Sequence, residues 1–301
     1  MDSQTAGIVV GYDGSQHSAE ALEWAAKQAD WRGIPLTVMH VVDFTALTPG
    51  PIAAEAGPAL NQEVSTVVAQ EGVERARKVA GTVKVTGLAR LGQVAATLIN
   101  ASQQAELLVV GNRGYGDIAG TIIGSVAFMV SAHAHCPVVV VRGNSGQLPG
   151  PRHQIVVGVD DSECSGVALR YAAGMAAKSA AALVVVSSYR LSVMETWTEI
   201  LVDATSEIIT SEQSQARQAA QIVNSAAVES VSYLYPELEV SGRVLEGPPA
   251  AVLCQAALGA GLLVVGSRGR GGFTGLLLGS VSHKTLHLAP CPVAVLRVPP
   301  A

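Results

Sequence analysis

Few charges, few aromatic rings and only four cysteines limit what this 301-residue chain can be. Charged residues make up 14% of it and aromatics 4%, against 49% hydrophobic residues. Any core must therefore be built from Ala, Val, Leu and Ile, and there is enough of these to exclude disorder over most of the length. Gly and Pro, at 31 and 14 residues, are too sparse for a collagen-like or low-complexity chain. Cys136, Cys164, Cys254 and Cys291 form no Cys-x-x-Cys and no close pair, as expected for a reduced, cytoplasmic protein. No apolar run approaches the roughly 18 residues of a membrane span, and nothing near Met1 reads as a signal peptide. A basic face is missing too. The 19 Lys and Arg stand against 24 Asp and Glu, for a net charge of −5, and each half is mildly acidic. Nucleic-acid and anionic-membrane binding need a concentrated positive footprint, so neither is expected. Small phosphorylated ligands stay open, because backbone N–H groups can hold phosphate without a basic cluster.

What the chain does have is a copy of itself. Residues 8–15 read IVVGYDGS and residues 155–162 read IVVGVDDS, identical at six of eight positions. Residues 106–126 and 261–281 are identical at twelve of twenty-one. The offsets are 147 and 155, so the second copy carries an insertion of about eight residues. A period near 150 is a whole domain rather than a solenoid unit. The expected division is a first domain at 1–142, a Gly/Pro-rich linker at 143–153 and a second domain at 154–301.

Each copy alternates short apolar strands with helical patterns. In the first, strands are expected at 7–12, 36–42, 83–90, 107–111 and 137–141. Ser15 is placed to cap the first helix, residues 43–56 read as a loop, and a second helix is expected over 59–80. The second copy repeats the order. Continuous apolar strands such as 107–111 suit a parallel sheet covered on both faces. The fold class is therefore α/β: two tandem doubly wound domains, each with a five-stranded parallel sheet flanked by helices and a ligand site beyond the strand ends.

The chemistry candidate follows the fourth strand. Gly111-Asn112-Arg113-Gly114 is followed by nine residues and then Gly124-Ser125. Gly266-Ser267-Arg268-Gly269 is followed by nine and then Gly279-Ser280. A glycine at Gly111 leaves room for an approaching ligand, Gly114 lets the backbone turn, and Gly124 brings amides near a phosphate at the next helix start. Ser125 can cap that helix and offer a hydroxyl. Alternatively, these glycines only shape strand-to-helix turns. Arg113 and Arg268 either neutralise phosphate or face solvent. Asp13 and Asp160, just beyond Gly11 and Gly158, either bond a ribose or adenine edge or organise the following turn. Val41 could line an adenine pocket, where the second copy offers the more polar Ser188. The loop is neither a Walker A nor a dinucleotide fingerprint.

These motifs, in this order, resemble the universal stress protein family in its tandem form, and specifically its ATP-binding branch. The likeness rests on the doubled Gly-x2-Gly-x9-Gly-Ser, the opening IVVGYDGS, and the Cys-Pro-Val at 136–138 and 291–293. Leu91-Gly92 and Glu246-Gly247-Pro248 at the strand-to-helix junctions add to it. The resemblance implies ATP; Mg²⁺ would accompany the triphosphate if the carboxylates are suitably placed. The nucleotide would be held by residues matching Asp13, Val41, Gly111, Arg113, Gly114, Gly124, Ser125 and Val126. The second set is Asp160, Ser188, Gly266, Arg268, Gly269, Gly279, Ser280 and Val281. Gly11 and Gly158 complete the two sets. It further implies internal pairing of the domains through their fifth strands, a homodimer of tandem chains and a regulatory protein partner. The departures are Asp161 in place of Gly14 and Ser188 in place of Val41. An extra carboxylate beside Asp160 would either discourage triphosphate or bind a cation with it.

Other chemistry fits less well. His283, His287 and Cys291, or His133, His135 and Cys136, make no convincing ligand set, so no metal centre is expected. There is no Gly-x-Ser-x-Gly elbow. Asp117 in the first loop faces Gly272 in the second and is a poor shared base. The expected function is an ATP-binding stress-response regulator with at most slow hydrolysis. The alternatives are a genuine ATPase or adenylate-transfer enzyme, or an interaction protein that binds no nucleotide.

Overall fold

A computed structural model describes residues 7–43, 51–114, 123–142, 147–190, 206–271 and 277–298. The interiors of both glycine loops, with Asp117 and Gly272, lie outside the described residues, as do 44–50 and 191–205. By internal contacts the chain forms two compact units, Met1–Leu148 with Ala289–Ala301, and Pro149–Leu288.

In the first unit, β1 (Ile8–Gly11) leads into α1 (Gln16–Arg32). Ser15 is the N-cap, its side chain accepting from the Ser18 amide, and Gly33 closes the helix in the left-handed conformation. β2 (Leu36–Val42) follows. The next helix, α2 (Pro51–Arg77), reaches back into residues read as loop from their Pro, Gly and Ala content. A proline at the first helical position forfeits no intrahelical bond, which is why composition misled there. β3 (Val85–Leu91), α3 (Val94–Ala101), β4 (Leu107–Gly111), α4 (Ser125–His133) and β5 (Val138–Val141) complete the repeat.

The sheet runs β3-β2-β1-β4-β5 with every pair parallel. β1 is bonded to β2 on one side and β4 on the other, so the strand order reverses between β1 and β4. The crevice beyond their C-terminal ends is where such folds bind ligands. α1 packs on β1 and β4, α2 on β2 and β3, and α3 and α4 pack on each other. Aliphatic side chains supply the core, as the scarcity of aromatics required. Among the described residues Ile8, Leu36, Leu107 and Leu108 are fully buried, and Trp24 and Tyr12 are the aromatic rings buried with them.

The second repeat contributes β6 (Ile155–Gly158), α5 (Glu163–Ser179), β7 (Leu183–Tyr189), α6 (Ser206–Leu234), β8 (Val240–Glu246), α7 (Pro249–Ala256), β9 (Leu262–Gly266) and α8 (Ser280–Leu288). Its strands run β9-β6-β7-β8, again parallel, with the reversal between β6 and β9. The last strand, β10 (Val293–Leu296), belongs by contacts to the first unit. It lies antiparallel on β5, with Val293 opposite Val140 and Val295 opposite Val138. All four residues of each strand are buried. Two tandem α/β domains on mostly parallel sheets are thus the architecture.

Candidate functional site

In each repeat the first strand ends in a glycine, then an aspartate that serves the backbone around it. The Asp13 carboxylate accepts from the Ser15 amide at 3.0 Å, and Asp160 accepts from Ser162 at 3.1 Å. Asp160 also accepts from the Ser162 hydroxyl at 2.6 Å and from the Arg270 amide, inside the glycine loop, at 3.0 Å. The aspartate therefore organises the turn and, in the second repeat, ties it to the loop. The residue after it must adopt positive φ, which is 83° at Gly14 and 67° at Asp161. A glycine adopts this freely, whereas Asp161 is held in a conformation its Cβ disfavours.

The glycines of the loop answer three different constraints. A Cβ at Gly111 would sit 2.7 Å from the His17 carbonyl oxygen, and one at Gly266 2.8 Å from the Cys164 Cβ. Close approach of the first turn of α1 or α5 accounts for these glycines without room for a ligand, the reason expected from sequence. At Gly114 a Cβ would lie 2.6 Å from an Asp13 carboxylate oxygen, and Gly269 meets Asp160 in the same way. Neither has positive φ, so backbone approach to the aspartate explains them better than the turn expected from sequence. Gly124 and Gly279 close the loop, their amides donating to the Asn112 and Ser267 carbonyls at 2.8 and 2.7 Å. Gly124 itself is the N-cap of α4, without a side-chain cap bond. Ser125 is the first helical residue and does not cap the helix as expected.

The second repeat encloses a cavity of about 640 Å³ at these strand ends. Gly158, Asp160 and Ser188 line it from the first two strands of that repeat. Gly266, Arg268 and Gly269 line it from the glycine loop, and Gly279, Ser280 and Val281 from the start of α8. All nine residues singled out in the second copy therefore meet in one place. Sequence reasoning missed the opposite wall. Ala216, Ala219, Ala220 and Val223 come from α6, Leu253 from α7, and Arg190 and Arg270 from the rim. Two signals pointed to them: the i, i+3, i+4, i+7 spacing of the small α6 residues, and the unmatched Arg270 opposite Tyr115 of the first copy.

In the first repeat, Gly11, Asp13, Gly111, Arg113, Gly114, Gly124, Ser125 and Val126 occupy the corresponding strand ends and helix start. Val41 is 9% exposed near the end of β2. Residues 44–50 and 115–122 around them lie outside the described residues. Beneath the site, His40 Nδ1 donates to the Tyr12 carbonyl at 2.7 Å, and the Ser187 hydroxyl donates to the Val159 carbonyl at 3.1 Å. These are the same two positions in each repeat. The Tyr12 hydroxyl reaches Glu71 of α2 at 3.2 Å. Burial first, then the Glu71 charge, push its pKa above the ordinary 10.0.

Among the described residues no group of three or more His, Cys, Asp or Glu could hold a metal, and no helix is long and apolar enough to cross a membrane. His283 and His287 approach to 3.2 Å, but Cys291 is buried in the segment before β10. None of the four cysteines is in a disulfide, and burial pushes the Cys136 thiol up to about 12.

A model of the universal stress protein family matches residues 7–142 and again 151–297. A universal stress protein of Mycolicibacterium smegmatis is 35% identical over 300 residues, covering 97% of both chains. One from Mycobacterium tuberculosis is 34% identical over 297 residues, again covering 97% of each. Among solved structures, a universal stress protein of Archaeoglobus fulgidus superposes with a TM-score of 0.64 at 20% identity, covering 98% of this chain and 99% of its own. With two family matches laid end to end on two α/β domains, this chain belongs to the universal stress protein family, in tandem form.

Proposed function

We propose that this protein is a stress-response regulator that holds one adenine nucleotide per domain, ATP in the first instance, with at most slow hydrolysis. The observation that carries this reading is the cavity of about 640 Å³ in the second repeat, lined by every residue that the sequence motif singled out there. Its size falls within the roughly 300–1,000 Å³ of small-molecule sites. Its walls divide the work. Ala219, Ala220, Val223 and Leu253 offer an apolar face to a base, while the glycine loop and the start of α8 offer amides and the Ser280 hydroxyl to phosphates.

The residues fit an adenine nucleotide in both chemistry and space. Gly266, Gly269, Gly279 and Ser280 bring backbone amides to the cavity wall, and Asp160 is the one carboxylate among the described lining residues. Mg²⁺ would enter with the triphosphate, taking phosphate oxygens and at most that carboxylate. Asp160 is already engaged by Ser162 and Arg270, which makes it an organiser rather than a general base. Tyr189 is the other acid–base side chain among the described lining residues, and its hydroxyl is turned to Glu246 at 3.4 Å, so positioning without fast phosphoryl transfer is the expected chemistry. Bound nucleotide would then favour one loop arrangement and change the surface offered to a regulatory protein.

The functional units in this reading are 1–142 and 154–301, joined by 143–153 and paired through β5 and β10, whose antiparallel ladder supports the pairing. A homodimer of such chains, in the cytoplasm, completes the proposal. Calorimetric titration with ATP and Mg²⁺ tests it. Two nucleotides per chain are expected, falling to one in Gly114→Leu and in Gly269→Leu. No uptake at millimolar nucleotide by folded protein would refute it.

A further inference from the structure

We infer that the two sites are not redundant, and that the second domain selects its ligand by the number of phosphate charges while the first does not. The inference rests on the nucleotide reading above and concerns the same cavity. Among the described residues lining that cavity, three guanidinium groups, Arg190, Arg268 and Arg270, stand against the single carboxylate of Asp160. They come from three places: the end of β7, the head of the glycine loop, and two residues further along it. All three are exposed residues that border the cavity, so their charge reaches it from two separate segments of the chain. Asp161, whose carboxylate would have opposed a triphosphate, is exposed and is not among the lining residues. The Asp160 carboxylate is itself turned inward to Ser162 and to the Arg270 amide, so it stabilises the loop that carries two of the arginines.

The first repeat differs at the matched sequence positions. Only Arg113 matches, in place of Arg268. The position of Arg190 is occupied by Asp43, and that of Arg270 by Tyr115. At matched positions the first copy thus replaces one guanidinium with a carboxylate and another with a phenol. Arginine binds phosphate through bidentate, charge-assisted hydrogen bonds and stays charged at every accessible pH. A site with three arginines and one carboxylate can offset part of a triphosphate's charge by itself. A site with one arginine and an added carboxylate needs Mg²⁺ to do so. The second domain should therefore take a polyphosphate nucleotide with or without Mg²⁺. The first should discriminate little among AMP, ADP and ATP, and should lose ATP when Mg²⁺ is removed.

The test uses the full chain with one site closed at a time, Gly114→Leu to report the second site and Gly269→Leu to report the first. Both are titrated calorimetrically with AMP, ADP and ATP, each with Mg²⁺ and with EDTA. In Gly114→Leu, each further phosphate should tighten binding roughly tenfold, one charge-assisted hydrogen bond's worth, and EDTA should leave the order intact. In Gly269→Leu the three ligands should fall within about threefold of each other with Mg²⁺ present. Adding Arg190→Asp and Arg270→Tyr to Gly114→Leu should compress the phosphate ladder to that narrow range. If AMP and ATP bind the second site equally, selection by phosphate charge is wrong even though nucleotide binding stands. If no adenine compound binds either site in folded protein, both this inference and the nucleotide reading fail. Should either glycine variant not fold, unmodified protein serves instead. Its ATP isotherm in EDTA should then show one occupied site per chain, weakening steeply with salt, and two sites or none would overturn the proposal.

Discussion

Tyr12 in the first repeat and Val159 in the second stand at the same place after the first strand, and their surroundings differ. Each has a carbonyl that needs a donor. The first repeat supplies His40 Nδ1 and the second the smaller Ser187 hydroxyl, from the same position of the second strand. Where the first repeat has Ala69, the second has Asn224, whose amide bonds Ser187 and the Val185 carbonyl. Duplication kept the backbone requirement, because an unpaired buried carbonyl is costly, and left the side chain that meets it free to change. The same division runs through the glycine loops, where spacing is retained while the charged residues around it diverge.

Substitutions that break what the repeats share should have the largest effects. Gly111→Val and Gly266→Val force a side chain onto the first turn of α1 or α5, and each should lose about 2–3 kcal/mol by chemical denaturation. Equal losses would show that both domains use the same strand–helix contact. His40→Leu should cost about 1–3 kcal/mol by stranding the Tyr12 carbonyl, and Ser187→Ala should fall at the low end of that range. A neutral His40→Leu would mean that this carbonyl finds another partner.

Substitutions of what the repeats do not share should do less. Tyr12→Phe removes the bond to Glu71 and should cost about 1 kcal/mol at neutral pH. Because the folded pKa of Tyr12 is raised, its contribution is complete below the ordinary 10.0 and is lost as pH climbs through the higher folded value. An alkaline stability titration should therefore show a drop in the parent that is missing in Tyr12→Phe. Asp161→Gly relieves roughly 1–2 kcal/mol of left-handed strain. It also gives the unfolded chain more freedom, about 0.4–1 kcal/mol, so a net gain of a few tenths to about 1 kcal/mol is expected. Gly14→Asp should reverse the sign, and a thermal melt of the two variants checks both.

Much of this was readable from residues alone. Ser15 identified a helix cap because only a short polar side chain at that point can meet the free amides of a first turn. The doubled glycine spacing marked the candidate site because it stands after the fourth strand of each copy, where a doubly wound sheet opens toward a ligand. The reasons behind individual glycines were not readable. Gly111 and Gly114 look alike in sequence, yet one faces a helix backbone and the other a carboxylate. The start of α2 at Pro51 was hidden as well, since proline and glycine signal a loop unless the first turn of a helix absorbs them.

The sequence by itself determined two copies of one α/β domain, aliphatic cores and the glycine motif in each, because periodicity and spacing are local properties. Only the tertiary structure decided which residues line the cavity beside that motif. Arg190, Arg268 and Arg270 are scattered along the chain, as are Ala216 and Leu253, and they meet because parallel strands end at one edge and helices return across it. The residues that line a cavity depend on that convergence, so a chain with a net charge of −5 can still line one with three arginines and a single carboxylate among its described residues.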